Sequence, residues 1–238
     1  MNDNMENSAN NPLVSAFASE VERMGSGEAT TVSKRLHFGI YGSVDPRKEL
    51  WAGIVYYMGL EGRQPQWLPA YDQVATWLSD NKGRGLICVG TCGLGKTVIC
   101  QKVLPVLFSR HFGMEVLSVT ACEMNARIDE LLQYCQRNRI VIIDDLGTEP
   151  AEVVNFGNRR KPFCELVDKA ERNGTLLILT TNLRTTMMRL KEDCSLGKAG
   201  DPDPRRRISS IEERYGIPTL DRLRASTTVV LFTGQSLR

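Results

Sequence analysis

Eight consecutive residues in the middle of the chain could bind a polyphosphate. Gly90-Thr91-Cys92-Gly93-Leu94-Gly95-Lys96-Thr97 fits the pattern G-x-x-x-x-G-K-[ST]. Glycines let backbone N–H groups turn inward around phosphate oxygens without Cβ clashes. A helix opening on this loop, through Val98, adds partial positive charge. Lys96 would reach the β- and γ-phosphates, and the Thr97 hydroxyl would ligate Mg²⁺. A second stretch, Ile140 to Asp145, is an apolar strand ending in two carboxylates. Asp144 would hold the Mg²⁺, directly or through water, and Asp145 would orient the attacking water. Glu149 is a weaker candidate for the water. A third stretch, Leu176 to Thr181, ends in Asn182, which could bind the γ-phosphate or the lytic water. The chemistry implied is hydrolysis of ATP with Mg²⁺.

These residues need a frame. Short, mostly apolar runs at Gly85–Gly90, Glu115–Thr120, Arg139–Asp144, Thr175–Thr181 and Thr227–Phe232 lack strict alternation, as strands covered on both faces do. Helical stretches fall between them at 96–110, 122–137, about 159–172 and about 208–224. Strand and helix in alternation predict an α/β fold with a parallel, five-stranded sheet and right-handed crossovers. Upstream, Asp45-Pro46 reads as a helix start, followed by Leu50, Trp51, Ile54, Val55 and Met58 at helical period. Tyr71, Val74, Ala75 and Leu78 suggest a second helix. The expected organisation is a tail at 1–33, a helical lead-in at 34–80 that could bind a partner, and an ATPase domain at 81–238. The tail, rich in Asn, Ser, Gly and Glu, reads either as a flexible segment or as a short docking helix using Val14, Phe17 and Val21.

Composition narrows the class. The chain has 238 residues, 42% of them hydrophobic and 24% charged, which is enough to bury a large core. Thirty Lys and Arg against 28 Asp and Glu give a net charge of +2, so any nucleic-acid contact must be a local patch. Two such patches are Arg159-Arg160-Lys161 and Arg205-Arg206-Arg207. Nothing supports sequence-specific reading. The seven cysteines include no C-x-x-C spacing, which argues against a zinc cluster or a disulfide framework and suits a reducing cytoplasm. No signal peptide and no run of eighteen apolar residues is evident, so no membrane association is expected.

Taken in order, these motifs resemble the AAA+ ATPases, and more narrowly the DnaC/DnaI helicase loaders and the related IstB transposition ATPases. The resemblance covers roughly residues 68–238. It rests on the phosphate loop, on Ile143-Asp144-Asp145-Leu146-Gly147-Thr148-Glu149 and on Leu179-Thr180-Thr181-Asn182-Leu183. The tail adds Arg214-Tyr215-Gly216, Leu220-Asp221-Arg222-Leu223, Val229–Phe232 and Gly234-Gln235-Ser236-Leu237-Arg238. It implies that Asn182 is the sensor 1 residue. It also implies that Arg222 is an arginine finger reaching the ATP of a neighbouring subunit, with Arg214 and Arg224 as rivals. A finger acting in trans implies an ATP-dependent homo-oligomer. Many AAA+ proteins carry glutamate where Asp145 stands, so slow hydrolysis is expected. Only 16 residues follow Arg222, which leaves no room for a C-terminal helical lid. The first 80 residues contain no cysteine, unlike loaders with an N-terminal zinc module. The partners implied are DNA, with single strands favoured, and a replicative helicase or, alternatively, a transposase. The source would be a bacterium, a phage or a mobile element. A nucleotide-gated scaffold with negligible hydrolysis is a further reading. A small-molecule kinase would need an acceptor pocket and a mobile lid, and no stretch looks like either.

Overall fold

The structure is a computed structural model that describes residues 35–42, 44–136, 139–155, 157–184 and 210–237. The arginine run at 205–207 and the possible docking helix near residue 17 lie outside them. Among the described residues seven strands occur: β1 (Gly85–Gly90), β2 (Val116–Thr120), β3 (Ile140–Leu146), β4 (Val153–Asn155), β5 (Asn158–Arg160), β6 (Leu176–Thr181) and β7 (Thr227–Phe232). Five form one parallel sheet in the order β2-β3-β6-β1-β7. Parallel strands end at the same edge, so the loops after β1, β3 and β6 emerge side by side. Those loops carry the three chemical motifs.

Alternation along each strand splits the core into two layers. Leu86, Cys88, Ile142, Ile178 and Phe232 face one side, and Ile87, Val89, Ile143 and Leu179 face the other. Both layers are buried, as the apolar runs predicted. The first is covered by α1 (Pro46–Leu60), α2 (Pro69–Ser79) and the helix that follows the phosphate loop. The Asp45 carboxylate accepts from Arg47 N at 2.9 Å to cap α1, with Pro46 as its first residue. The second layer is covered by α4 (Ala121–Ala126), α5 (Ile128–Tyr134), α6 (Pro162–Asn173), α7 (Ile211–Tyr215) and α8 (Ile217–Ser226).

Several elements differ from the sequence reading. Residues 35–41 form no helix and no strand. Leu36, Phe38 and Ile40 are buried, and Phe38 stacks edge-on against Trp77 and Phe108. Asn81 holds the segment: its Oδ1 accepts from Phe38 N at 2.9 Å and its Nδ2 donates to Leu36 O at 2.9 Å. The helix after the phosphate loop begins as a π-helical segment, Val98–Val103, before α3 (Leu104–Phe112). Pro105 has no N–H and its ring crowds the carbonyl four residues back, so the turn widens and Leu104 N reaches Ile99 O. The single helix expected at 122–137 is two, broken at Arg127 (φ −114°, ψ 21°), after which Asp129 and Glu130 make a fresh acidic first turn. The helix expected from 159 starts at Pro162, because residues 158–160 form the second strand of a hairpin with β4. The last helix is likewise two, parted by Gly216 at φ 88°, with Pro218 in the first turn of α8. Among the described residues no helix is long and apolar enough to cross a membrane.

Candidate nucleotide site

The phosphate loop is shaped by what lies behind it. Gly93 and Gly95 both have positive φ, 86° and 80°. A Cβ on Gly95 would sit 2.6 Å from the Tyr71 hydroxyl, and one on Gly93 would sit 2.1 Å from Ser236 Oγ. Only glycine fits either position. Tyr71 Oη donates to Leu94 O at 3.1 Å, and burial pushes this phenol up to about 12. Leu237 N donates to Gly93 O at 2.9 Å. The outward carbonyls of the loop are thus taken up by α2 and by the segment after β7. Leu94 and Val98 place their side chains in the core, so only their backbone could meet a ligand. Thr91 is half-buried and Cys92 exposed.

Lys96 is 6% exposed. Its ammonium donates to Gly90 O and Thr91 O at 2.8 Å each and to Asn182 Oδ1 at 3.1 Å. Desolvation lowers its pKa, opposed by nearby Cys92, Cys88, Asp145 and Asp144. Asn182 Nδ2 also donates to Cys92 Sγ at 3.4 Å. Lys96, Asn182 and the loop therefore form one hydrogen-bonded unit across adjacent strands β1 and β6.

The two carboxylates are separated by a register shift. The β3–β6 ladder slips between Ile143 and Leu146, and Asp145 takes a left-handed φ of 54°. Thr180 fills the gap: its hydroxyl donates to Asp144 Oδ1 at 2.5 Å and accepts from Asp145 N at 2.9 Å. Asp144 is buried and accepts from Thr97 Oγ1 at 3.2 Å. Burial pushes its pKa up, with Asp145 adding to the rise, while Thr180, Thr97 and Lys96 oppose it. A buried carboxylate beside a hydroxyl at the mouth of a phosphate loop is a hard-oxygen pair that suits Mg²⁺. Thr97 and Asp144 are the residues that would hold the ion. Asp145 is exposed. Thr180 was not singled out from sequence. Its signal was a hydroxyl on the strand beside the carboxylates.

Glu149 is not aimed at this site. It is 1% exposed, accepts from Gly147 N at 2.8 Å and from the Tyr215 hydroxyl, and pairs with Arg214 Nε at 3.9 Å. Burial and then Glu149 push the Tyr215 phenol far above its ordinary range. Arg214 also donates to Glu149 O, which ties α7 to the loop after β3. Removing the carboxylate would strand Tyr215, Arg214 and Gly147 N. We expect Glu149→Ala to cost about 3–5 kcal/mol, read as a fall in the denaturant midpoint. A cost under about 1 kcal/mol would show that this network contributes little.

Of the finger candidates, Arg214 is committed to its own subunit. Arg224 pairs with Asp221 on its own helix at 3.2 Å. Arg222 is 37% exposed at its side chain and lies on α8 against α6, paired with Asp168 and Glu171 at 3.0 Å each. In the basic run after β4, Arg160 pairs with Glu165 at 2.6 Å and Asp129 at 2.9 Å, and Lys161 with Glu152 at 3.2 Å. Arg159 is exposed beside exposed Val154, its cross-strand neighbour. The run expected to grip phosphates thus spends two of its three cations on internal pairs.

No family model matches the chain, and no curated protein matches it. Solved structures do show likeness. A DnaC helicase loader is 15% identical with a TM-score of 0.48, over 78% of this chain and 99% of the other. DnaI is 16% identical with a TM-score of 0.44, over 84% and 88%. DnaA from Aquifex aeolicus, bound to AMPPCP, is 16% identical with a TM-score of 0.41, over 68% and 45%. With a parallel sheet ordered β2-β3-β6-β1-β7, a phosphate loop after β1 and paired carboxylates ending β3, the chain has an α/β P-loop NTPase fold.

Proposed function

We propose that this chain binds and hydrolyses ATP, assembles with copies of itself, and loads a replicative helicase onto single-stranded DNA in the bacterial cytoplasm. The observation that carries the ATPase part is the convergence of Lys96, Thr97, Asp144 and Asn182 at one edge of the sheet. The helicase and DNA parts rest on the ordered motif set that resembles the helicase loaders.

In this reading the Lys96 ammonium exchanges its two loop acceptors, Gly90 O and Thr91 O, for β- and γ-phosphate oxygens. Thr97 and Asp144 hold Mg²⁺, which supplies positive charge to the phosphates. Asp145 accepts a hydrogen bond from the attacking water and turns its lone pair toward the γ-phosphorus. Asn182, already bonded to Lys96, marks the γ-phosphate position from the neighbouring strand.

Lys96→Ala should weaken binding of a fluorescent ATP analogue about 10- to 100-fold, the loss of one or two charge-assisted hydrogen bonds. Binding within twofold of wild type would remove Lys96 from the site. A pull-down with a non-hydrolysable ATP analogue, read by mass spectrometry, tests the partner. Recovery of a replicative helicase supports the loader reading. Recovery of a transposase without helicase would replace it with assembly on duplex DNA.

A further inference from the structure

The turn that follows β3 leaves ordinary backbone geometry twice within three residues. Asp145 has φ 54° and Gly147 has φ 104°. A Cβ on Gly147 would meet Leu183 Cγ at 2.7 Å, so only glycine fits against the loop that carries Asn182. Left-handed backbone at an aspartate is unfavourable and persists only where its surroundings fix it. Here side chains fix successive backbone groups. Thr180 Oγ1 accepts from Asp145 N at 2.9 Å, and Thr148 Oγ1 donates to Asp145 O at 2.8 Å. Thr181 Oγ1 donates to Leu146 O at 2.6 Å and accepts from Leu183 N at 3.0 Å. Glu149 Oε2 accepts from Gly147 N at 2.8 Å.

The last of these bonds differs from the others. The three hydroxyls belong to β6 and to the turn itself, whereas Glu149 is held from a distant part of the chain. Its Oε1 accepts from the Tyr215 hydroxyl, so each carboxylate oxygen has its own donor. Arg214 donates to Glu149 O. Both partners belong to α7, and the Tyr215 ring is anchored 4.6 Å from Phe163 of α6. An apolar contact could hold α7 here at least as well, because desolvating a carboxylate offsets much of what its pairing contributes. What the carboxylate adds is a fixed acceptor for the Gly147 N–H.

We infer that Glu149 and Tyr215 are positioning residues for ATP hydrolysis. They lock the Gly147 end of the turn, and with it the direction in which Asp145 presents its carboxylate to the attacking water. If Gly147 N is released, the peptide can rotate and Asp145 can relax toward right-handed backbone, which carries its carboxylate away from the γ-phosphorus. Asp144 is bonded separately, to Thr97 and Thr180, so nucleotide and Mg²⁺ binding are spared. The inference rests on the reading of Asp145 as the residue that orients the water.

The test is single-turnover phosphate release by the full chain, expressed per site that binds the fluorescent ATP analogue. Misplacing a reacting group by about 1 Å costs about 100-fold, which is the fall expected in Glu149→Ala. Tyr215→Phe keeps the ring against Phe163 and removes one donor, so its rate should fall about 10-fold. Glu149→Gln keeps an oxygen for Gly147 N and offers its amide to the Tyr215 oxygen, so it should stay within about threefold of wild type. Analogue affinity should remain within about twofold in all three. Where Glu149→Ala is too unstable to assay, Tyr215→Phe decides. The deciding comparison repeats Tyr215→Phe in an Asp145→Asn chain, where it should lower the residual rate no further, because the two changes act through one group. Wild-type turnover per site in Tyr215→Phe would show that the network only holds the fold. The same 10-fold fall in both backgrounds would show that it acts through another residue, such as Arg222 on α8. Either result overturns the inference and leaves the role of Asp145 standing. Failure of that role reads differently: Asp145→Asn alone would then keep its rate, and the inference would fall with it.

Discussion

Asp145→Asn is expected to reduce ATP turnover about 100- to 10,000-fold while leaving ATP affinity within about twofold. The argument begins with the backbone. Asp145 sits at φ 54°, a region that costs most L-residues about 1–2 kcal/mol but that Asp and Asn tolerate best. Its amide N–H is taken by Thr180, and its carbonyl accepts from Thr148 N at 3.2 Å and Thr148 Oγ1 at 2.8 Å. The main chain is thus fixed from both sides, and asparagine can occupy it without moving Asp144. The substitution removes the negative charge and one of the two acceptor oxygens, so the side chain can no longer take up a proton from the attacking water. The same backbone accounts for the short side chain. Glutamate at φ 54° would pay more strain than aspartate, so Asp145→Glu should lower stability and should not restore the rate expected from a longer carboxylate. Single-turnover phosphate release, measured alongside analogue binding, reads both. Undiminished turnover in Asp145→Asn would take this residue out of catalysis.

What could be read from the sequence was whatever is enforced locally. The phosphate loop is legible because Gly93, Gly95 and Lys96 are contiguous and each residue type is required by backbone geometry or charge. The sheet strands are legible because strands buried on both faces must be apolar without alternation. Tertiary pairings left weaker traces. The alternation of Leu36, Phe38 and Ile40 was short enough to pass as part of a helical lead-in, and only Asn81, 41 residues beyond Ile40, makes it a docked segment. Glu149 stood close to the carboxylate pair in sequence, yet its partner Tyr215 lies 66 residues away. The basic triplet at 159–161 read as one patch, while the acids that neutralise two of its members come from three different elements. Charge clusters reveal composition, not whether the charges are spent.

Arg222→Ala is expected to lower turnover about 1,000-fold or more, the scale of an arginine finger, without weakening ATP binding. In the single chain Arg222 is held by Asp168 and Glu171 on α6. Each pair is partly exposed and worth about 0–1 kcal/mol, so release toward a neighbour's γ-phosphate is inexpensive. Glu171 also has Arg35 at 3.9 Å as a second cation, so it is not left unpaired when Arg222 departs. Two roles are then possible for the same arginine, and mixing separates them. Arg222→Ala chains keep an intact phosphate loop, and Lys96→Ala chains keep an intact finger. Neither should turn over ATP alone. If the finger acts in trans, mixed assemblies pair a working loop with a working Arg222, and turnover should rise with the fraction of Lys96→Ala chains before falling again. If Arg222 only ties α8 to α6, mixing restores nothing, and the variant instead shows a small loss of thermal stability with its own turnover retained. Asp168→Asn gives the converse check: loosening the tether should leave the finger free and turnover at or above wild type, whereas a finger that needs Asp168 for its position would lose rate.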